Sequence, residues 1–99
     1  MRIEVADAPE AGRYEARVDG RLAGFVEYRR RPDAVVLVHT EVLPDFEGKG
    51  VGSVLARQVL DDVRARGGKV VPLCPFIASY IQRHQDYADL VAQRPTTRP

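Results

Sequence analysis

The sequence predicts an α+β fold, a mixed and mainly antiparallel sheet that closes with a β-α-β unit. Three observations carry this expectation. Asp19-Gly20 separates two extended segments, a β-branched run extends from Ala34 to Val42, and a helical apolar period starts directly after a glycine-rich loop.

Tyr14-Glu15-Ala16-Arg17-Val18 alternates apolar with polar residues, and a second extended run follows from Leu22 to Arg30. Asp-Gly between such runs predicts a β-hairpin, because both central residues of a type I′ turn need positive φ. Arg31-Pro32-Asp33 supplies the next turn, and Ala34-Val35-Val36-Leu37-Val38-His39-Thr40-Glu41-Val42 reads as a buried strand. The expectation is a three-stranded meander. Leu43-Pro44-Asp45-Phe46 then leads into the glycines, after which the period changes from 2 to 3.6. Val51, Leu55, Val59 and Val63 recur at i, i+4, with Val54, Ala56 and Leu60 widening the stripe and Arg57, Asp61, Asp62, Arg64 and Arg66 facing water. Gly67-Gly68 ends this helix. Lys69 to Cys74 reads as a short strand whose Pro72 suggests an edge or a distortion, and Pro75 suits the first turn of a helix from Phe76 to about Gln85. Strand, helix, strand implies a parallel pair with a right-handed crossover. Residues 1–92 are expected to form one domain and residues 93–99 a disordered tail.

With 99 residues, 44% hydrophobic and 29% charged, the chain suits one globular domain with a modest core. The net charge of +1 gives no global argument for nucleic acid, a membrane surface or an acidic partner. Three adjacent arginines, Arg29-Arg30-Arg31, read as a solvated hairpin end. One cysteine and two histidines make neither an intramolecular disulfide nor a structural metal site, so no metal is expected. The N-terminal residues lack the continuous apolar stretch of a signal peptide, and no run approaches the roughly 20 residues of a membrane-spanning helix. A soluble, cytoplasmic protein is expected.

Glu47-Gly48-Lys49-Gly50-Val51-Gly52 lies between strand and helix. Its glycines let the backbone turn tightly and aim several N–H groups one way, and the positive end of the helix dipole adds to an anion site suited to phosphate. A plain chain-reversing turn would also need such glycines. A Walker A loop would place Lys directly before Ser or Thr, whereas Gly50-Val51-Gly52 separates Lys49 from Ser53. A Rossmann fingerprint would read G-x-G-x-x-G, whereas this loop reads G-x-G-x-G.

Val42-x-Pro44, then Glu47-x-x-Gly50-x-Gly52, then an amphipathic helix, resembles the pyrophosphate-binding motif of the GNAT superfamily of N-acetyltransferases. Gly67 to Val91, with Cys74-Pro75-Phe76 and His84-Gln85-Asp86-Tyr87, resembles the minimal single-domain branch. The resemblance spans roughly residues 14 to 91. It implies a truncated GNAT fold and acetyl-CoA, or coenzyme A, held at Val42, Gly48, Lys49, Gly50, Val51, Gly52 and Ser53. It also implies a pantetheine arm lying along Val38 to Val42 where the parallel pair splays. Glu47 stands where the family has Gln or Arg, which implies a side chain turned away or bonded to the backbone. The family's first two helices are not recognisable.

Acetyl transfer to an amine needs a base, oxyanion donors and an acid for the departing thiolate. Cys74, just before a helix, is a candidate nucleophile or an inert wall near the thioester. His39 and Glu41 should share a strand face and are a candidate base pair, or simply a polar surface pair. Tyr80 falls two residues before the family's acid position, which holds Gln82, and is a weaker candidate acid than core residue. His84 reads as a cap. The resemblance therefore implies an acetyl-CoA-dependent N-acetyltransferase acting on an amine acceptor. The alternative is a non-catalytic acyl-CoA-binding module.

Overall fold

The computed structural model describes residues 1–92; the tail expected over 93–99 lies outside them. Five strands form one sheet in sequence order: β1 (Ile3–Ala8), β2 (Arg13–Val18), β3 (Arg21–Arg30), β4 (Val35–Val42) and β5 (Val70–Pro72). Helix α1 (Val51–Ala65) joins β4 to β5, and α2 (Pro75–Arg83) follows β5. Neighbours β1 to β4 are antiparallel and β4–β5 is parallel, the mixed sheet that the sequence predicts.

Asp19 and Gly20 take φ of 51° and 80°, the positive values that join β2 to β3 in a tight hairpin. The meander has four strands rather than three. Ile3 to Ala8 pairs with β2 along its whole length, but its other edge has no strand beside it among the described residues and none of its residues is fully buried, so it carries little hydrophobic signal. Pro72 ends β5 and Cys74 lies beyond it, as the cap of α2. Helix α2 stops at Arg83, where the His84 ring bonds the Tyr80 carbonyl at 2.8 Å, and a 3-10 segment over Gln85–Leu90 follows. Val91 then bridges to Val70, starting to cover the outer edge of β5.

One face of the sheet carries the core. Tyr14, Ala16, Val26 and Leu37 from the strands meet Val51, Leu55, Ala56, Val59, Leu60 and Val63 of α1, and Ile77, Tyr80, Tyr87 and Leu90 join the same cluster. Asp61 and Asp62 are not plain solvent-facing residues. Asp62 accepts from the Tyr14 hydroxyl at 2.6 Å and Asp61 from the Tyr87 hydroxyl at 2.6 Å, tying α1 to β2 and to the 3-10 segment. Burial, with the neighbouring carboxylate, raises the Tyr14 phenol above its ordinary value and pushes Tyr87 up to about 12.

Strand β4 contains the feature that shapes the site. Glu27 pairs with His39 but Tyr28 pairs with Leu37, so Val38 is an extra, bulged residue. A bulge bends its strand and increases the local twist. Pairing with β5 ends at this place, at Leu37–Pro72. Beyond Leu37 the outer edge of β4 has no strand beside it among the described residues.

Candidate functional site

The main chain builds most of the site. A 3-10 turn over Pro44–Phe46 carries the chain out of β4, and Gly48 and Gly50 then adopt φ of 77° and 81°. An L side chain is disfavoured there by roughly 1–2 kcal/mol, so glycine is the natural occupant. This winding lets α1 start abruptly at Val51. The Val54 N–H is the first of the helix to find an acceptor, the Gly50 carbonyl at 3.1 Å. Among the described residues, the amides of Gly48, Lys49, Gly50, Val51, Gly52 and Ser53 donate to no protein acceptor, and no side chain caps the helix.

Those amides border a cavity of about 240 Å³ lined by Val42, Phe46, Glu47, Gly48, Gly50, Val51, Gly52, Ser53 and Phe76. Open N–H groups at a helix start, with the positive end of its dipole, suit a phosphate-sized anion. Lys49 is exposed and outside the lining, available as a charge near the mouth. Glu47 is also exposed and contributes to the lining, so a carboxylate borders the mouth of the cavity; its side chain bonds no backbone group among the described residues.

Cys74 stands where β4 and β5 part. Its N–H donates to the Leu37 carbonyl at 2.9 Å, fixing it beside the last paired residue of β4. The side chain is 3% exposed, and Sγ donates to the Thr40 Oγ1 at 3.1 Å. Thr40 pairs with the buried Val26, so this contact lies on the helix side of the sheet. His39 and Glu41 alternate with Thr40 and point to the opposite, helix-free face, where the His39 Nε2 lies 3.2 Å from the Glu41 Oε1 with both side chains about half-exposed. The three candidate catalytic residues therefore do not form one cluster: the thiol lies behind β4, and the imidazole and carboxylate lie in front. The open strand edge lies between them.

Tyr80 is buried, 5% exposed, with its ring stacked on His84 at 4.0 Å, so it fills the core rather than facing the cavity. Three lining or contacting residues escaped the sequence reading. Thr40 lay unremarked between His39 and Glu41, though alternation alone placed it on the other face. Phe46 read as part of an exit turn. Phe76 read as the start of a helix and as part of the Cys74-Pro75-Phe76 resemblance, without a place in the site.

A larger recess of about 330 Å³ opens at the other end of the sheet, between the Arg31–Ala34 turn and the end of α1. Its cations already have partners: Arg30 meets Asp7 at 2.9 Å, Arg66 meets Asp62 at 3.1 Å, and Lys69 donates to the Asp89 carbonyl at 2.8 Å. They also face the negative end of the helix dipole, which disfavours an anion. Size alone does not make it the better site.

Residues 13–90 match the family model of the GCN5-related N-acetyltransferases. The chain belongs to this family. Among solved structures it resembles a ribosomal-protein-alanine N-acetyltransferase from Brucella melitensis biovar Abortus 2308, with 26% identity and a TM-score of 0.58 over 88% of this chain. It spans 65% of that enzyme's chain. A GCN5-like protein from Staphylococcus aureus, solved by NMR, shares the fold more completely, with a TM-score of 0.68 over 95% of this chain and 92% of its own at 19% identity. AAC(6')-Iy, solved with a bisubstrate analogue, CoA-S-monomethyl-acetylneamine, shares the fold with a TM-score of 0.50 at 20% identity, over 88% of this chain and 67% of its own. No curated protein matches in sequence. Among the described residues no helix is long and apolar enough to cross a membrane.

Proposed function

We propose that residues 1–92 form one cytoplasmic domain that transfers the acetyl group of acetyl-CoA to an amine. The observation that carries this is the run of unpartnered amides from Gly48 to Ser53, bordering a cavity that also touches Val42 of the open β4 edge. The donor fits this arrangement in two parts. Its pyrophosphate accepts from the loop amides, with Gly48, Gly50, Val51, Gly52 and Ser53 in contact and Lys49 adding charge nearby. Its pantetheine amides pair with the unused N–H and C=O groups between Val38 and Val42, as an added strand would.

The thioester then lies at the parting of β4 and β5, with Cys74 and Thr40 on one side and the His39–Glu41 pair on the other. The amine enters from the helix-free face, where these two side chains are accessible. Glu41 accepts from the His39 Nε2–H, which leaves Nδ1 as the proton acceptor. Nδ1 takes a proton from the ammonium, the free amine attacks the carbonyl carbon, the C–S bond breaks, and the thiolate takes the proton that the attacking nitrogen loses. Burial of Cys74 and its bond to Thr40 favour this direct route over an acetyl-cysteine.

Incubation with labelled acetyl-CoA and a panel of amines tests the proposal. The expected result is an acetylated amine, undiminished by Cys74→Ala and reduced about 100-fold by His39→Ala. An acetyl-cysteine found by mass spectrometry, with activity lost in Cys74→Ala, would replace the direct route with a covalent one. Tight coenzyme A binding without turnover on any amine would refute catalysis and leave a binding module.

A further inference from the structure

Apart from Met1, the large apolar side chains left exposed among the described residues are Leu73, 64% accessible, and Phe76, 37% accessible. They flank Cys74. Phe76 occupies the first turn of α2, whose side chains lean back past the helix N-terminus. Its ring accordingly reaches toward the first turn of α1. A Cβ placed on Gly52 would lie 2.9 Å from the ring Cζ, 3.4 Å from Cε2 and 3.5 Å from Cε1. Gly52 has no positive φ, unlike Gly48 and Gly50, so its backbone does not require glycine. What requires glycine is the ring. Glycine is a poorer helix former than alanine, and here its use makes room for a side chain that remains partly exposed.

Phe76 also lines the glycine-loop cavity, two residues after the cysteine at the strand parting. From this geometry we infer that Gly52 and Phe76 form an aperture between the anion-binding amides and the thioester position, and that Phe76 selects the donor by packing against its pantetheine arm. The inference rests on the coenzyme A site proposed above and adds a specificity-determining residue to it. The gem-dimethyl group and methylenes of the arm supply apolar surface that matches an aromatic wall, whereas a nucleotide lacking the arm brings to the loop only phosphates, which gain little from the ring. Phe76 is a positioning residue, because it reaches neither the reacting carbonyl nor a transferred proton.

Calorimetry with coenzyme A and with 3′-phospho-ADP, which keeps the phosphates and lacks the arm, separates these roles. In Phe76→Ala, coenzyme A should bind about tenfold more weakly while 3′-phospho-ADP binds as to the wild type. Gly52→Ala provides a second variant that keeps the fold, since the atom it displaces is the far end of a side chain. Thermal stability should hold or rise with the better helix former, while coenzyme A affinity falls. Equal losses for both ligands in Phe76→Ala, or unchanged coenzyme A affinity in both variants, would overturn the aperture. If the wild type bound 3′-phospho-ADP but gained nothing from the arm, the aperture would fail while the loop site stood. If it bound neither ligand, the site itself would be refuted.

Discussion

Gly24→Ala is expected to destabilise the protein through a contact that the structure defines closely. Gly24 lies in β3 opposite Val42, at the place where α1 crosses the sheet. A Cβ there would meet the Glu41 carbonyl oxygen at 2.6 Å, Leu55 Cδ1 at 3.3 Å and Val42 Cα at 3.4 Å. Ordinary contact begins at 3.4 Å, so the carbonyl is too near by 3.4 − 2.6 = 0.8 Å. Leu55 can yield by rotating, but the Glu41 carbonyl belongs to the β3–β4 pair and moves only if the strands separate. Overpacking of this kind costs about 1–3 kcal/mol, and an inflexible backbone contact places the substitution at the upper end. Replacing glycine in a strand returns about 0.5–1 kcal/mol through the unfolded chain. The net expectation is a loss of about 2 kcal/mol, or about 8–16 °C in Tm for a domain of this size. Urea denaturation followed by circular dichroism should show a lower midpoint with an unchanged slope. An unchanged or raised midpoint would refute the close approach of β3, β4 and α1 at this residue.

Gly50→Val should weaken coenzyme A binding at least tenfold at a stability cost of about 1–2 kcal/mol: φ is 81° and nothing lies within 4 Å of its Cβ position, so strain rather than a clash is added to the folded protein. Calorimetry on the folded variant measures the effect. Burial and the Asp61 carboxylate push the Tyr87 phenol up to about 12, so the folded state holds that proton more tightly than the unfolded chain does. Its contribution to stability is therefore complete below about pH 10 and is lost as pH rises toward 12, and Tyr87→Phe should remove that part of the alkaline stability loss in pH-dependent urea melts. Hydrogen bonds from Arg13, at 2.8 Å, and Arg17, at 3.0 Å, hold the Glu15 carboxyl below its ordinary range. That stabilisation is present above about pH 4.3 and disappears as pH falls through the lower folded value, so Glu15→Gln should flatten the acid limb of the stability curve.

Local signals made much of the architecture legible. Asp19-Gly20 fixed the hairpin through a backbone conformation that few residue pairs adopt, and the i, i+4 valines and leucines of α1 marked the face that is buried. Strand β1 escaped because an edge strand buries little, leaving Glu4 and Asp7 to interrupt its apolar pattern. The glycine loop was legible as a turn and an anion site, but not the division of work within it. Gly48 and Gly50 serve the backbone, while Gly52 serves Phe76, a residue 24 positions later that only the packing of α2 brings near. The bulge at Val38 was equally hidden, since β-branched residues look alike in a regular strand and a distorted one. It decides that Thr40 turns toward Cys74 while His39 and Glu41 turn away. Alternation put His39 and Glu41 on one face, where they meet at 3.2 Å, whereas Cys74, placed near them only through the resemblance, lies on the other side of the strand. Asp61 and Asp62 looked solvated because their partners, Tyr87 and Tyr14, come from distant elements.

An NMR titration of the ¹⁵N-labelled protein with coenzyme A tests the central claim most directly. The account predicts that the largest amide shifts fall on Gly48 to Ser53, whose N–H groups acquire phosphate acceptors, with a second group along Val38 to Val42 where the arm pairs with the open edge of β4. Shifts concentrated instead around Arg30, Arg31, Arg66 and Lys69, at the larger recess on the other end of the sheet, would contradict it.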